Sequence, residues 1–427
     1  MMREEAASVS RLIVGDISKQ LVRIFFLSER LKAFGKRTNS EPKRVHVVGA
    51  GVMGGDIAAW CALRGLTVTL QDMAPDRLAP ALKRARQLYQ KKLRHPRLIQ
   101  EAMDRLRPDI AGDGVAKADV VIEAIAENLK AKQGLFQALE PHLKSGALLA
   151  SNTSSLPLEK LGEGLAHPEQ LIGLHFFNPV AKMPLLEVVS SATTDPESAA
   201  KGFAFAQAIG RLPLPVKSAP GFLVNRLLMP YMLEAVQLAS EGVSFAHIDT
   251  VAKSFGMPMG PLALADTVGL DICLSVAEVL AEHLEHPVPI TLREMVELGQ
   301  LGRKTGEGFY HHDKKKVGAP TRRQSLEPPE EEVRDRLILP LLNEAVACLR
   351  QEVVKDADLL DAGVVFGTGF APFRGGPMGY LASQGIETII NRLKELEAKH
   401  GARFKPDPGW QHPAFRSQLQ ELARRER

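Results

Sequence analysis

The amino-acid sequence predicts an α/β domain built on a parallel sheet, followed by two repeated all-α domains. Three observations lead to this fold class. From Arg44 onward, short β-branched segments alternate with helical stretches, as in βαβ units. After about Lys217 these segments stop, and long helical patterns replace them. The final part of the chain then repeats a piece of the first helical region at a constant offset of 110 residues, as from Arg226 to Arg336.

Residues 1–40 form a predicted N-terminal helical segment. Its apolar residues recur at spacings of three and four, and Gly35 is placed to end the helix. These apolar positions are Leu12, Ile13, Ile17, Leu21, Ile24, Phe25 and Leu27. Because a helix this apolar on one side needs a partner surface, we expect it to pack on a later domain.

The α/β domain is predicted over residues 41–218, with strands at 45–48, 67–70, 120–122, 148–150 and 171–174. A boundary is expected near residues 218–221, where Ser, Ala, Pro and Gly follow one another. A first helical domain follows at 219–312, with helices near 222–241, 246–255 and 271–284. Residues 313–330 read as a solvated linker, being rich in Pro, Gly and charge.

Residues 331–427 are predicted to be a second, degenerate copy of the helical domain. The segment Arg226–Pro230 is matched by Arg336–Pro340, and the dipeptide Gly260-Pro261 returns as Gly376-Pro377. Asn225 is replaced by Asp335 in the second copy. We therefore do not expect a second active site there.

Composition excludes several classes of protein. The 427 residues carry 54 Lys and Arg against 50 Asp and Glu, and a net charge of +4 is not the basic footprint of a nucleic-acid binder. The three cysteines are far apart, so neither a disulfide framework nor a metal site is indicated. No stretch approaches the ~20 apolar residues that a membrane span requires, and no targeting segment is recognisable. We expect a cytoplasmic protein.

A glycine motif indicates a Rossmann-type nucleotide site. Residues 49–54, Gly-Ala-Gly-Val-Met-Gly, follow the first strand and open a helix, while Asp72 ends the second strand. Gly49 permits the tight turn, Gly51 the close approach of a pyrophosphate, and Gly54 the packing of the helix. Because Asp72 would bind a ribose diol and repel a 2′-phosphate, we expect NAD. The alternative is a glycine-rich turn with an incidental surface acid.

Further motifs resemble the L-3-hydroxyacyl-CoA dehydrogenase family. They are Ser-Asn-Thr-Ser-Ser-Leu at 151–156, Leu-His-Phe-Phe-Asn-Pro at 174–179 with Glu187, Pro-Gly-Phe-Leu-Val-Asn-Arg at 220–226, and Gly-Arg-Lys-Thr-Gly-Glu-Gly-Phe-Tyr at 302–310. The second helical region, with 370–377, and the helix at 21–35 are similar to parts of the multifunctional fatty-acid β-oxidation α-subunit. The chain resembles the dehydrogenase half of that protein, without its enoyl-CoA hydratase domain.

The resemblance implies NAD-dependent oxidation of L-3-hydroxyacyl-CoA to 3-ketoacyl-CoA. It makes His175 the general base, with Glu187 holding the far ring nitrogen. Ser154 and Asn225 would contact the substrate oxygen, and Tyr380 the substrate. The NAD site implied by the resemblance comprises, besides Gly49, Gly51 and Gly54, the residues Met53, Asp72, Ala126, Glu127, Asn128, Lys132, Ser154, Asn178 and Lys304.

Several alternatives stay open at this point. The chain could be a non-catalytic structural or scaffolding protein of the same fold, or a related β-hydroxyacid or sugar-nucleotide dehydrogenase. Lys132 could be a solvated helix lysine. The two helical copies suggest a pseudo-dimeric monomer, with a dimer as the alternative, and a separate hydratase or thiolase could bind.

One residue departs from the resemblance. The family usually has glycine where this chain has Asp56, two residues past the fingerprint. An acid there suits the helix dipole but stands near the expected pyrophosphate site. It therefore puts the affinity for NAD in question.

Overall fold

The computed structural model describes residues 12–13, 15–37, 41–281, 286–312 and 327–426. They divide into two compact units, one formed by Ser28–Ala219 and the other by Met1–Leu27 together with Pro220–Arg427. The division between them falls inside the first helix, α1 (Asp16–Phe34). Most of the predicted linker, namely residues 313–326, lies outside the described residues.

The unit of residues 28–219 contains an eight-stranded sheet in the order β3-β2-β1-β4-β5-β6-β7-β8. The strands are β1 (Arg44–Val48), β2 (Thr67–Gln71), β3 (Leu106–Pro108), β4 (Val120–Glu123), β5 (Leu148–Ser151), β6 (Leu171–Phe176), β7 (Leu185–Ser190) and β8 (Leu212–Lys217). Neighbouring strands are parallel throughout, except that β6 and β7 are antiparallel.

The prediction of a parallel sheet was therefore wrong at one pair of strands, and three strands were not predicted. Only residues 177–184 connect β6 to β7, and a parallel crossover needs about a dozen residues or more. The connection thus forces β7 to return antiparallel. β8 escaped prediction because Pro213 and Pro215 interrupt its pattern, which only an edge strand such as β8 tolerates.

Helices connect the strands of this unit and cover its sheet. They are α2 (Val52–Leu63), α3 (Leu78–Lys92), α4 (Pro96–Arg105), α5 (Leu129–Leu139), α6 (Leu158–Leu161) and α7 (Pro196–Ala208). The main core joins the sheet to α2, whose residues Ile57, Ala58 and Cys61 are fully buried. Apart from Asp56, α2 is apolar all round, as expected of a helix in a protein interior.

The other unit is helical. Its helices beyond the start of α1 are α8 (Val224–Ser240), α9 (Phe245–Phe255), α10 (Pro261–Val268), α11 (Leu270–Ala281), α12 (Ile290–Glu297), α13 (Glu330–Arg350), α14 (Ala357–Thr368), α15 (Gly376–Gln384), α16 (Ile386–His400) and α17 (Pro413–Glu426). Among the described residues, no helix is long and apolar enough to cross a membrane.

Helix α1 buries less of its apolar surface than the sequence predicts. Ile24 and Leu27 are buried, but Ile17, Leu21 and Phe25 are all about half exposed or more, as are Leu12 and Ile13 ahead of the helix. The reason is that apolar residues occupy more than one face of this helix, while only one face is packed. On that face Arg23 forms ion pairs with Asp358 and Asp361 of α14, at 2.7 and 2.8 Å. The start of α1 therefore packs on the helical unit, as predicted.

Candidate active site

The carboxyl ends of five parallel strands bring most of the predicted site residues to one edge of the sheet. The strands are β1, β2, β4, β5 and β6. Parallel strands share the edge at which they end, so the loops that follow them meet there. The predicted residues on this edge are Gly49, Gly51, Met53, Gly54, Asp72, Ala126, Glu127, Asn128, Ser154, His175 and Asn178.

The turn formed by the glycine motif requires glycine at two of its three glycine positions. Gly49 has a φ of +107°, and a Cβ on Gly54 would lie 1.9 Å from the carbonyl oxygen of Gly49. Gly51 precedes α2 as its N-cap, and a Cβ on it would meet no atom within 4 Å. Gly54 is thus required for packing, whereas Gly51 borders open space at a helix N-terminus. This arrangement fits a dinucleotide pyrophosphate.

Asp72 is tied to this turn. Its carboxylate accepts hydrogen bonds from the N–H groups of Ala50 at 2.7 Å and Ala74 at 2.9 Å. The side chain is only 9% exposed, so the alternative of an incidental surface acid is wrong. The next residue, Met73, is fully exposed beside it and offers an apolar surface at the same edge.

A buried ion-pair network lies behind the loop after β4. The ammonium group of Lys132 is 2.6 Å from the Glu123 carboxylate and 3.1 Å from that of Glu127. Lys132 is 1% exposed, so the alternative of a solvated helix lysine is wrong. Glu123 was not predicted, although an acid at the end of an apolar strand is a signal that could have identified it. It also accepts hydrogen bonds from Ser151 and the N–H of Ile125.

Glu127 links this network to the loop that carries Ser154. Its carboxylate accepts hydrogen bonds from the Thr153 hydroxyl at 2.6 Å and from the N–H of Ser154 at 2.9 Å. Burial by itself would raise the pKa of Glu127, but the charge of Lys132 and these hydrogen bonds outweigh it and lower that pKa. The carboxylate therefore stays ionised and fixes the backbone around Ser154.

His175 and Glu187 form the central polar pair of the site. They lie directly opposite each other in the antiparallel register of β6 and β7, and His175 Nδ1 is 2.6 Å from Glu187 Oε2. Glu187 is fully buried, and His175 is 5% exposed. A carboxylate bound to Nδ1 keeps the proton on that nitrogen and leaves Nε2 as the basic one. The pair is therefore suited to general acid–base chemistry.

Two neighbours hold this histidine in place. The side-chain oxygen of Asn152, at the end of β5, accepts the N–H of Phe176 at 3.0 Å. The ring of Phe177 packs 4.5 Å from the imidazole, centroid to centroid. Asn178 follows on the exposed loop. The end of β6 is thus anchored to its neighbour β5, and the imidazole is fixed by packing as well as by Glu187.

The three remaining predicted residues belong to the helical unit, and their part in the site stays a prediction. Asn225 is the second residue of α8 and is half-buried. Lys304 forms an ion pair with Asp271. Tyr380, in α15, is 5% exposed and packs edge-on against Phe255 at 5.0 Å.

Comparison with protein families gives two matches. Residues 44–219 match the NAD binding domain of 3-hydroxyacyl-CoA dehydrogenase, and residues 221–312 match the C-terminal domain of the same enzyme. Among curated proteins, the fatty acid oxidation complex subunit alpha of Idiomarina loihiensis is 38% identical over 425 residues. The aligned region covers 95% of this chain but 60% of that relative, so the chain spans about three fifths of its length.

Solved structures also resemble the chain. The structure of FadB2 from M. tuberculosis is 35% identical with a TM-score of 0.62, and the match covers 64% of this chain and all of FadB2. The dehydrogenase part of multifunctional enzyme 1 from C. elegans is 26% identical with a TM-score of 0.64. That match covers 92% of this chain and 98% of the C. elegans chain, and thus extends into the second helical region.

Proposed function

Because the chain belongs to the 3-hydroxyacyl-CoA dehydrogenase family of NAD-binding oxidoreductases, we propose that it oxidises L-3-hydroxyacyl-CoA to 3-ketoacyl-CoA in fatty-acid β-oxidation. The observation that carries the proposal is the buried pair of His175 and Glu187. It lies at the edge of the sheet that also carries the glycine turn and Asp72. A nucleotide fingerprint and a general base on one edge are what an alcohol dehydrogenase requires.

The reaction removes a proton and a hydride from the same secondary alcohol. Bound NAD supplies the hydride acceptor. His175 takes the hydroxyl proton on Nε2 because Glu187 holds the proton on Nδ1. The imidazolium that results faces the Glu187 carboxylate at 2.6 Å, which stabilises the charge. In the reverse direction the same imidazolium returns the proton to the 3-keto oxygen.

The other site residues supply binding and orientation in this proposal. Ser154 and Asn225 donate hydrogen bonds to the substrate oxygen, which gains charge as its proton leaves. Asp72 accepts from the adenosine ribose, and the N-terminus of α2 receives the pyrophosphate. The further cofactor contacts are Gly49, Gly51, Met53, Gly54, Ala126, Glu127, Asn128, Lys132, Ser154, Asn178 and Lys304. Tyr380 is the proposed contact to the acyl-CoA.

Replacing the base tests the proposal. His175→Gln lowers the rate of acetoacetyl-CoA reduction by about 100-fold or more, the size expected for a general acid–base residue. NADH binding, measured by fluorescence titration, stays within about two-fold of wild type, because this residue contacts substrate and not the pyrophosphate site. Glu187→Gln gives a smaller loss of rate in the same direction.

The matched control is His167→Gln, which changes a histidine in the same unit whose side chain is 62% exposed. It retains the wild-type rate. An unchanged rate in His175→Gln would contradict the proposal. Absence of activity with any 3-ketoacyl-CoA of short to long chain, despite NADH binding, favours the alternative of a structural protein that keeps the fold.

We also propose that residues 331–427 are a degenerate second copy of the helical domain. Four helices follow one another in the same order in both regions, α8 to α11 and α13 to α16, and each first helix contains a proline. In both regions an aspartate side chain also caps the N-terminus of the third helix. Asp249 in α9 accepts two backbone N–H groups at the start of α10, and Asp361 in α14 does the same for α15.

The ion pairs between these helices support a pseudo-dimeric monomer. Arg226 of α8 pairs with Glu344 of α13, and Arg336 of α13 pairs with Glu234 of α8 at 2.6 Å. Contacts that repeat reciprocally in this way are typical of an interface with two-fold symmetry. The second copy would then occupy the surface that another chain would otherwise cover. Sedimentation at low concentration should give a mass near 46.6 kDa, and twice that value would contradict the proposal.

The curated relatives are named as alpha subunits of a fatty acid oxidation complex. From this name we propose that the chain works in the cytoplasm and binds a separate enoyl-CoA hydratase or thiolase. Light scattering of the purified chain mixed with each enzyme from the same organism tests the association. A mixture that gives only the masses of its two components contradicts it.

A further inference from the structure

Asp56 has a basic partner that the sequence did not reveal. In α2 it stands two residues past the glycine fingerprint, near the expected pyrophosphate site. The Nε group of Arg84, in α3, donates to the Asp56 carboxylate at 3.3 Å. Both side chains are about one-third exposed, so water weakens this pair only in part. The negative charge of Asp56 is therefore compensated from a neighbouring helix.

Arg84 also holds the fingerprint itself. Its Nη2 group donates to the carbonyl oxygen of Gly51 at 2.9 Å. The guanidinium reaches this position because residue 55 is glycine. A Cβ on Gly55 would lie 2.8 Å from Arg84 Nη2 and 2.9 Å from the Cβ of Ala81. One side chain thus contacts both the acid in α2 and the peptide that caps this helix.

The charge of Asp56 matters because of where α2 begins. Its N-terminus carries a partial positive charge that attracts anions. An uncompensated carboxylate in the same helix would compete for that potential with a pyrophosphate. Burial raises the pKa of Asp56 above its ordinary value, and the charge and hydrogen bond of Arg84 offset that rise only in part. A cation beside Asp56 counters its negative charge and so keeps the helix end attractive to an anion.

We propose that Arg84 is a positioning residue of the NAD site, which compensates Asp56 and orients the Gly51 peptide. The proposal rests on the proposed binding of NAD at this fingerprint. In this proposal Arg84 and Asp56 act together, so the effect of losing Arg84 on NADH binding depends on whether Asp56 is present. A double-mutant cycle measures that dependence.

The experiment measures NADH dissociation constants by fluorescence titration for wild type, Arg84→Met, Asp56→Asn and the double variant. Arg84→Met weakens binding by about five-fold, the size expected for one partly exposed charge at a helix terminus. Asp56→Asn leaves the constant unchanged or lowers it. The double variant returns to within about two-fold of Asp56→Asn. In 0.5 M salt the defect of Arg84→Met shrinks, since exposed charges are screened over roughly 4–5 Å at that ionic strength.

Arg86→Met is the matched control because it removes an exposed positive charge from the same helix α3. Its NADH constant stays at the wild-type value. Equal constants for Arg84→Met and Arg86→Met would overturn the proposal. So would an equal loss from Arg84→Met with and without Asp56, because Arg84 would then bind the cofactor directly.

Arg84→Lys keeps the test decisive if the methionine variant does not fold. Lysine retains the charge but not the two-sided hydrogen bonding, so Arg84→Lys should weaken NADH binding by less than the about five-fold expected for loss of the charge. A lysine variant whose binding is weakened by about five-fold or more overturns the compensation. Failure of the wild-type chain to bind NADH at all is a different result, because it refutes the proposed function.

Discussion

Protonation of His286 should make the helical unit sensitive to acid. This histidine is 8% exposed and faces a cavity of about 290 Å³ that the Arg403 guanidinium also lines. Burial, and next the positive charge of Arg403, lower the pKa of His286 to about 4. In the folded protein the imidazole is therefore neutral at pH 7, and it resists protonation well below that value.

The sign and size of the effect follow from linkage. The pKa in the unfolded chain is about 6.5, so the folded pKa is the lower of the two. The stability is then fully present above pH 6.5 and is lost as the pH falls toward 4. The difference between the two pKa values corresponds to about 3 kcal/mol when the loss is complete. At pH 5 about 2 kcal/mol of it is already lost.

Chemical unfolding at pH 7.5 and at pH 5.0 measures this loss. The perturbation is His286→Gln, which cannot be protonated. Between the two pH values, wild type should lose about 2 kcal/mol more unfolding free energy than the variant. Other groups that titrate in this range, including His46 and His400, remain in both proteins and cancel in the difference.

A surface histidine gives the matched control. His142→Gln changes an exposed residue and should follow the wild-type pH dependence. The reasoning is refuted if wild type and His286→Gln lose the same free energy between pH 7.5 and 5.0. It is refuted as well if the loss is larger in the glutamine variant.

Two further predictions concern close packing and buried charge. Gly51→Ala should keep its melting temperature but bind NADH at least about 10-fold more weakly, because its Cβ points into open space where a pyrophosphate would approach. Gly54→Ala should lower the melting temperature, since its Cβ would lie 1.9 Å from the Gly49 carbonyl oxygen. Equal melting temperatures would contradict this reading. Arg336→Met should lower the unfolding free energy by about 1.5–3 kcal/mol, because it removes a 2% exposed partner of Glu234, which keeps its second partner Arg403 at 2.6 Å. Arg334→Met on the more exposed face of the same helix should cost under about 1 kcal/mol. Comparable losses in the two variants would contradict the second prediction.

The glycine fingerprint is a feature that local sequence alone can predict. Gly49, Gly51 and Gly54 lie within six residues, and Asp72 ends the next strand, so their meeting depends only on one βαβ unit. The boundary between β8 and the helical region was also visible as a change of periodicity. Such features are encoded over short distances, where backbone propensity and hydrophobic spacing decide the conformation.

The contact and the roles of His175 and Glu187 could not be predicted from their spacing alone. Twelve residues separate the two, and that spacing by itself does not state which strands pair. The resemblance to a family supplied the roles, and the antiparallel return of β7 supplies the contact. The connection between β6 and β7 is too short for a parallel crossover, and the prediction of a parallel sheet did not take this length into account.

The sequence by itself determined the α/β unit, the nucleotide turn, the start of the helical region and most of the residues at the sheet edge. Only the tertiary structure decided that Glu123 and Glu127 enclose Lys132, that α1 leaves an apolar face exposed, and that Arg84 pairs with Asp56. Those outcomes depend on which helices and loops pack together, and local periodicity does not contain that information. The pairing of Asp56 with Arg84 shows this most clearly, because the cation lies 28 residues further along the chain.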